Sequence, residues 1–182
     1  MERNEGNMSP ADGKRESRGC PCGCGRKGSN KLVVAIWVTL LLCVVGYLAY
    51  SQKMANDLLN RAYTLYSHGD ITASTDLLRQ SARLGNQWAQ LYYGERLKNG
   101  FGADRDPAEA VKWLRKAAKG KCPEAYYQLG VCYENGEGVE RNLDEAEAWY
   151  RKALQDPGFA SMAQTALDRI ERQRASEPPA AY

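Results

Sequence analysis

The feature that most constrains this chain is that part of it repeats. Shifting the sequence by 36 residues lays 89–118 over 125–154. Identities then fall at Ala89/Ala125, Gly94/Gly130, Asn99/Asn135, Gly100/Gly136, Gly102/Gly138 and Arg105/Arg141. They continue at Glu109/Glu145, Ala110/Ala146, Trp113/Trp149, Arg115/Arg151, Lys116/Lys152 and Ala117/Ala153. A period of this length marks a stack of supersecondary units, none of which can bury its apolar face alone. The matched residues are mainly small, aromatic or glycine, the types that set geometry.

Each unit reads as helix, glycine loop, helix. The first helix carries a small residue and a glycine five positions later, Ala89 with Gly94 and Ala125 with Gly130. A glycine inside a helix costs about 1 kcal/mol relative to alanine, so its use there implies close helix packing. Asn-Gly stops the first helix in both units, at 99–100 and 135–136. The second helix then opens on a cap. Asp106-Pro107-Ala108-Glu109 places Asp at N-cap, Pro at N1 and Glu at N3, and Asn142-Leu143-Asp144-Glu145 repeats this without the proline. Ala110, Trp113 and Ala117 share one helical face, as do Ala146, Trp149 and Ala153.

The second unit, AYYQLGVCYENGEGVERNLDEAEAWYRKAL, closely resembles a Sel1-like repeat, a relative of the tetratricopeptide repeat. Ala125, Leu129, Gly130, Tyr133, Gly136, Gly138, Val139, Ala146, Trp149, Tyr150, Lys152 and Ala153 match that family's pattern. The first unit keeps Ala89, Gly94, Gly100, Gly102, Ala110, Trp113, Lys116 and Ala117, but has Tyr93 for Leu, Leu97 for Tyr and Leu114 for Tyr. Residues 54–84 resemble an earlier, degenerate unit, with Ala62, Tyr63 and Tyr66 on one helix and Leu77, Leu78 and Ala82 on another. His68-Gly69-Asp70 joins them, with His68 suited to cap a helix end. Residues 159–173 form a closing helix, with Met162, Ala163, Ala166, Leu167 and Ile170 inward and Asp168, Arg169, Glu171 and Arg172 outward. The resemblance implies an all-α fold, a short right-handed α-solenoid of Sel1-like helix pairs whose first helices line a concave, protein-binding face.

Ahead of the repeats, Leu32 to Tyr50 is an uncharged run, LVVAIWVTLLLCVVGYLAY. At about 1.5 Å per residue it spans roughly 28 Å, close to a bilayer's hydrocarbon core. Tyr47 and Tyr50 suit an interfacial belt. Arg15, Arg18, Arg26, Lys27 and Lys31 precede the run, against Lys53 and Arg61 after it. The positive-inside rule then places the N-terminus in the cytoplasm. Two readings stand for this segment: an uncleaved signal anchor, favoured by its length, and a cleaved signal peptide with Ala49 and Ser51 near the cut. The expected organisation is therefore a Cys-containing basic tail over 1–31, an anchor over 32–51, a repeat domain over 54–173 and a disordered tail over 174–182. Resemblance to small membrane-anchored Sel1-like proteins points to a bacterial inner membrane with a periplasmic repeat domain.

Positions that the repeat does not need for packing are candidate partner contacts: Gln90, Tyr92, Glu95 and Arg96 in the first unit, Tyr126, Gln128, Val131 and Cys132 in the second. Tyr and Arg are common interface anchors, which selects Gln90, Tyr92, Arg96, Tyr126 and Gln128 for a protein or peptide partner. Ordinary solvated or inter-repeat roles are the competing reading. A net charge of +3 gives no strong field for nucleic acid. One histidine, His68, and the lack of a nucleophile, phosphate-loop or zinc-protease motif argue against an enzyme and imply no cofactor. Cys122 and Cys132, roughly 15 Å apart along one helix, read as free thiols. Cys20, Cys22 and Cys24, in a stretch resembling the first half of a SEC-C zinc motif, lack the second half. They admit a soft-metal or redox-sensing role with the repeats as output, acylation, or a plain linker.

Overall fold

The computed structural model describes residues 29–176. All regular structure among them is helical: α1 (Ser29–Ser67), α2 (Ile71–Arg83), α3 (Gln87–Asn99), α4 (Pro107–Lys119), α5 (Pro123–Asn135), α6 (Leu143–Ala153) and α7 (Pro157–Ser176). The chain divides between Leu42 and Cys43 into two units. In the first, the apolar side chains from Leu32 to Leu42 are exposed. The helix that contains them is long and apolar enough to cross a membrane, a property that a signal sequence shares. No backbone break marks the expected border at 51–54, because α1 runs on to Ser67.

In the second unit the helices pair as the repeat predicts. The last turns of α1 pack with α2, α3 with α4 and α5 with α6, and α7 closes the row. Side-chain caps start α2, α3, α4 and α6. Asp70, Asn86 and Asp106 accept the backbone N–H of Ala73, Ala89 and Glu109, and Asn142 accepts those of Asp144 and Glu145. Helices α3 and α5 end on Gly100 and Gly136 in the left-handed region, φ 70° and 72°. The chain then folds back in the same way in both units. Asp106 N–H donates to Leu97 O, and Asn142 N–H to Tyr133 O, both at 2.9 Å. Arg105 Nε donates to Lys98 O at 3.0 Å and Arg141 Nε to Glu134 O at 3.1 Å, which accounts for that repeated arginine. Lys116 and Lys152 lie over the rings of Trp113 and Trp149, at 3.6 and 3.8 Å from the centroids.

The small residues are buried where helices meet. Ala89, Ala110, Ala117, Ala125, Ala146 and Ala153 are fully enclosed. A Cβ on Gly94 would stand 3.2 Å from Ala110 O and Leu114 Cγ, and one on Gly130 would stand 2.5 Å from the Tyr150 ring. The tighter contact follows from the tyrosine that the second unit has where the first has Leu114. That exchange goes with another. Position 134 is Glu in the second unit and its counterpart, position 98, is Lys in the first.

The difference serves the end of the array. Buried Glu134 accepts Tyr150 Oη–H at 2.7 Å and both Nε and Nη2 of Arg169, at 2.6 and 2.7 Å. Arg169 therefore ties α7 to the last repeat and is not one of the freely solvated residues expected of the cap's outer face. Met162, placed inward from sequence, is 45% exposed, whereas Ala163, Ala166, Leu167 and Ile170 are buried as expected. The pitch of α7 carries Met162 just off the packed stripe. Helix α7 continues to Ser176, past the expected edge at 173. His68 Nδ1 meets Thr64 O at 2.6 Å, the helix-end cap anticipated for it.

Candidate functional site

The first helices of successive pairs, α1, α3 and α5, are laced together by side chains. The rings of Tyr63 on α1 and Tyr92 on α3 meet edge to face, centroids 5.8 Å apart, and Trp88 stacks on Tyr92 at 6.4 Å. From α5, Gln128 bridges two residues of α3. Its Oε1 accepts Lys98 Nζ at 2.7 Å and its Nε2 donates to Glu95 Oε1 at 2.8 Å. Tyr126 stacks on Trp149 of its own unit at 6.0 Å.

Five residues were expected to face a partner, and the structure treats them differently. Gln90 is buried and donates to Ala82 O at 3.1 Å, so it serves packing between units. Its helical position looks outward in a single pair; the preceding pair covers it. Cys132, also expected to be free of packing, is fully buried for the same reason. Tyr92, Arg96, Tyr126 and Gln128 are half-buried. Tyr92 and Arg96 come together in one cleft of about 540 Å³, and Tyr126 and Gln128 lie outside it.

The cleft is lined by Tyr63 and Tyr66 from α1, Leu78 from α2, Tyr92, Glu95 and Arg96 from α3, and Phe101 from the loop. The Arg96 guanidinium carbon lies 4.7 Å from the Tyr66 ring centroid and 4.5 Å from that of Phe101. Its Nη1 is shut off from solvent with no hydrogen-bond partner among the described residues. Burial, reinforced by Tyr63, holds the Tyr92 hydroxyl far above the usual tyrosine range, so it is a neutral donor at any physiological pH. Burial and then the nearby Glu124 raise the Glu95 carboxyl. Phe101 was missed in the sequence because it sits in a loop, where the second unit has Glu137. Its only signal there is an exposed-type position occupied by a large aromatic.

The Sel1 repeat family profile matches residues 89–122 and 123–156. These residues are two Sel1 repeats. Solved structures agree with the match. One is a protective antigen of uropathogenic Escherichia coli strains that displays an SLR fold; it is 28% identical, TM-score 0.61, over 65% of this chain and 26% of that one. A Sel1 repeat protein from Oxalobacter formigenes is 30% identical, TM-score 0.50, over 54% of this chain and 39% of that one. Helicobacter pylori cysteine-rich protein B shares the fold at 19% identity, TM-score 0.52, over 63% of this chain and 90% of that one. The chain thus spans well under half of the first two. No curated protein matches the sequence.

No group of three or more His, Cys, Asp or Glu able to hold a metal occurs among the described residues. Cys20, Cys22 and Cys24 lie outside those residues. Cys122 and Cys132 are free and fully buried. Burial pushes the Cys132 thiol up to about 11 and raises Cys122 as well. Maleimide at pH 8 is expected to spare both in the folded chain and label both in denaturant, read by peptide mass mapping. Rapid labelling of either under native conditions would contradict the packed core.

Proposed function

We propose that the chain is a membrane-anchored adaptor that binds a protein or peptide partner along the first helices of its repeats. Residues 32–51 are the anchor, residues 54–173 the binding domain, and the N-terminus is cytoplasmic. The observation that carries the reading is the aromatic cleft on that side of the array, where Tyr63, Tyr66, Tyr92 and Phe101 surround Arg96, whose Nη1 has no hydrogen-bond partner among the described residues. Aromatic and arginine side chains supply most of the binding energy at protein interfaces. The exposed run from Leu32 to Leu42 and the excess of Lys and Arg before it support the anchor and its direction.

A photo-crosslinking amino acid placed at Tyr66 or Tyr126 in the full chain, expressed in its membrane, is expected to trap a discrete protein. The same probe at Lys112, on an outer helix, is expected to trap none. Equal yields at all three positions, or none anywhere, would remove the adaptor reading. A reporter fused after Tyr182 tests the direction independently: activity confined to the cytoplasm would reverse it.

A further inference from the structure

We propose that the cleft between α1, α2 and α3 receives an acidic side chain, an Asp or Glu carried on an extended, apolar-flanked segment of the partner, and that Arg96 is the residue that reads it. The inference rests on the adaptor reading and adds the chemistry of what is bound.

Arg96 is held in place and forms no ion pair among the described residues, although its charge favours the neighbouring Glu95 carboxylate. The rings of Tyr66 and Phe101 hold its guanidinium in place, but a cation over aromatic faces keeps its full charge. Arg169, which ties α7 to α5, has its carboxylate in Glu134. Arg96 forms no ion pair within 4 Å among the described residues, and its Nη1 donates to nothing. Buried donors are nearly always satisfied, so the unmet Nη1 marks a guanidinium that lacks its acceptor; Nη1 itself is closed to solvent, and an outside acceptor would meet the guanidinium from the side on which Arg96 lines the cleft. The adjacent carboxylate, Glu95, is engaged with Gln128 and does not supply it.

Neither Arg96 nor Phe101 is needed to build a repeat. Their counterparts in the second unit are Cys132 and Glu137, and the same helix, glycine turn and fold-back form there without them. The arginine-aromatic arrangement is therefore an addition to the architecture, present in the first unit. Of the remaining lining residues, Tyr63, Leu78 and Tyr92 offer apolar surface in the same cleft, which suits apolar neighbours of the acidic residue, while Glu95 and Asn99 are polar.

The carboxylate belongs to a side chain and not to a chain end. Terminal carboxylates are captured by nests of free backbone N–H groups. Here the lining residues lie within helices, where backbone N–H groups are internally bonded, except Phe101, whose N–H donates to Arg96 O at 3.0 Å. Among the described lining residues the charged donor is the Arg96 guanidinium, whose planar fork matches a carboxylate.

The test uses the full chain in detergent micelles, panned with phage displaying random dodecapeptides flanked by fixed sequence, so that no chain end is presented. Enriched peptides are expected to carry Asp or Glu beside aromatic or branched apolar residues. Exchanging that acid for its amide is expected to weaken binding about tenfold, as loss of a charge-assisted pair should. Arg96→Gln is expected to lose the same factor and to become indifferent to the acid-to-amide exchange, with binding to the wild type also falling as salt rises. Enriched peptides without an acid, or ones that bind Arg96→Gln undiminished, would overturn the inference and leave the adaptor reading standing. Failure to enrich any peptide would overturn it too, and the crosslinking experiment would then judge the adaptor separately. If Arg96→Gln did not fold, the acid-to-amide exchange on the wild type alone would decide.

Discussion

Gly138→Ala is expected to destabilise the repeat domain by about 3 kcal/mol, the sum of two penalties. Gly138 has φ +73°, in the left-handed region, where a Cβ costs about 1–2 kcal/mol. That Cβ would also stand 2.1 Å from Pro107 O and 2.8 Å from Ala108 N. Those atoms are backbone at the start of α4, fixed by the Asp106 cap, so neither can turn aside as a side chain would. Overpacking of this kind costs about 1–3 kcal/mol. The two penalties are separable. Gly69 has φ +84°, and a Cβ added there would meet nothing within 4 Å, so Gly69→Ala should show the conformational penalty alone, about 1 kcal/mol. Urea midpoints of the two variants, read by helical circular dichroism, make the comparison. Equal shifts would mean that the loop of the second unit does not dock on α4. Gly102 makes the equivalent approach one unit earlier, against Ile71 O at 2.9 Å and Thr75 Oγ1 at 2.5 Å. The second glycine of each loop is thus where one pair is seated on the one before.

Arg169→Ala is expected to cost about 2–3 kcal/mol and to loosen α7 first. Glu134 is nearly fully buried, with its side chain 4% exposed, and removing its partner leaves a charge without compensation. Breaking a fully buried pair costs about 3–5 kcal/mol, and the 45% exposure of Arg169 reduces that through solvent screening. Adding Glu134→Gln to Arg169→Ala is expected to recover part of the loss, because the amide carries no charge to strand. Amide hydrogen exchange should show α7 deprotected before α3–α6 in Arg169→Ala. Uniform deprotection would mean that the pair does not hold the cap.

The same pair gives an acid dependence of defined sign. Burial alone would raise the Glu134 carboxyl, but the Arg169 guanidinium and the Tyr150 hydroxyl outweigh it and hold it below the usual carboxylate range. The unfolded chain has an ordinary Glu, near pH 4.3, so below that pH the unfolded state takes up the proton first. The stabilisation is fully present above about pH 4.3 and is lost as pH falls through the lower folded value. The gap between the melting temperatures of the wild type and Glu134→Gln should therefore begin to narrow once pH falls below about 4.3. A gap that does not narrow as pH falls below about 4.3 would exclude the linkage.

What was legible in the sequence was local. Caps at Asp106 and Asn142, stops at Gly100 and Gly136, and the small-residue faces of α4 and α6 depend on neighbours within a turn or two, and each is as the spacing predicts. The repeat also implied the order of the helix pairs, because a fixed period means that each pair meets only the next. The candidate surface was less legible, since exposure in an array depends on the adjoining pair. Gln90 and Cys132 look outward on an isolated helix and are covered once the pairs stack. Arg169 looks like a solvated cap residue until α7 crosses Glu134.

By itself, then, the sequence determined the architecture: two capped, glycine-turned Sel1 repeats after an apolar segment, since such signals act over a few residues. Only the tertiary structure decided which side chains of that array are open. It placed Tyr66, Arg96 and Phe101 together from two helices and a loop, in contacts that no periodicity encodes. The physical reason is that a helix's own pitch selects a face, whereas the partner it packs against selects which part of that face remains free.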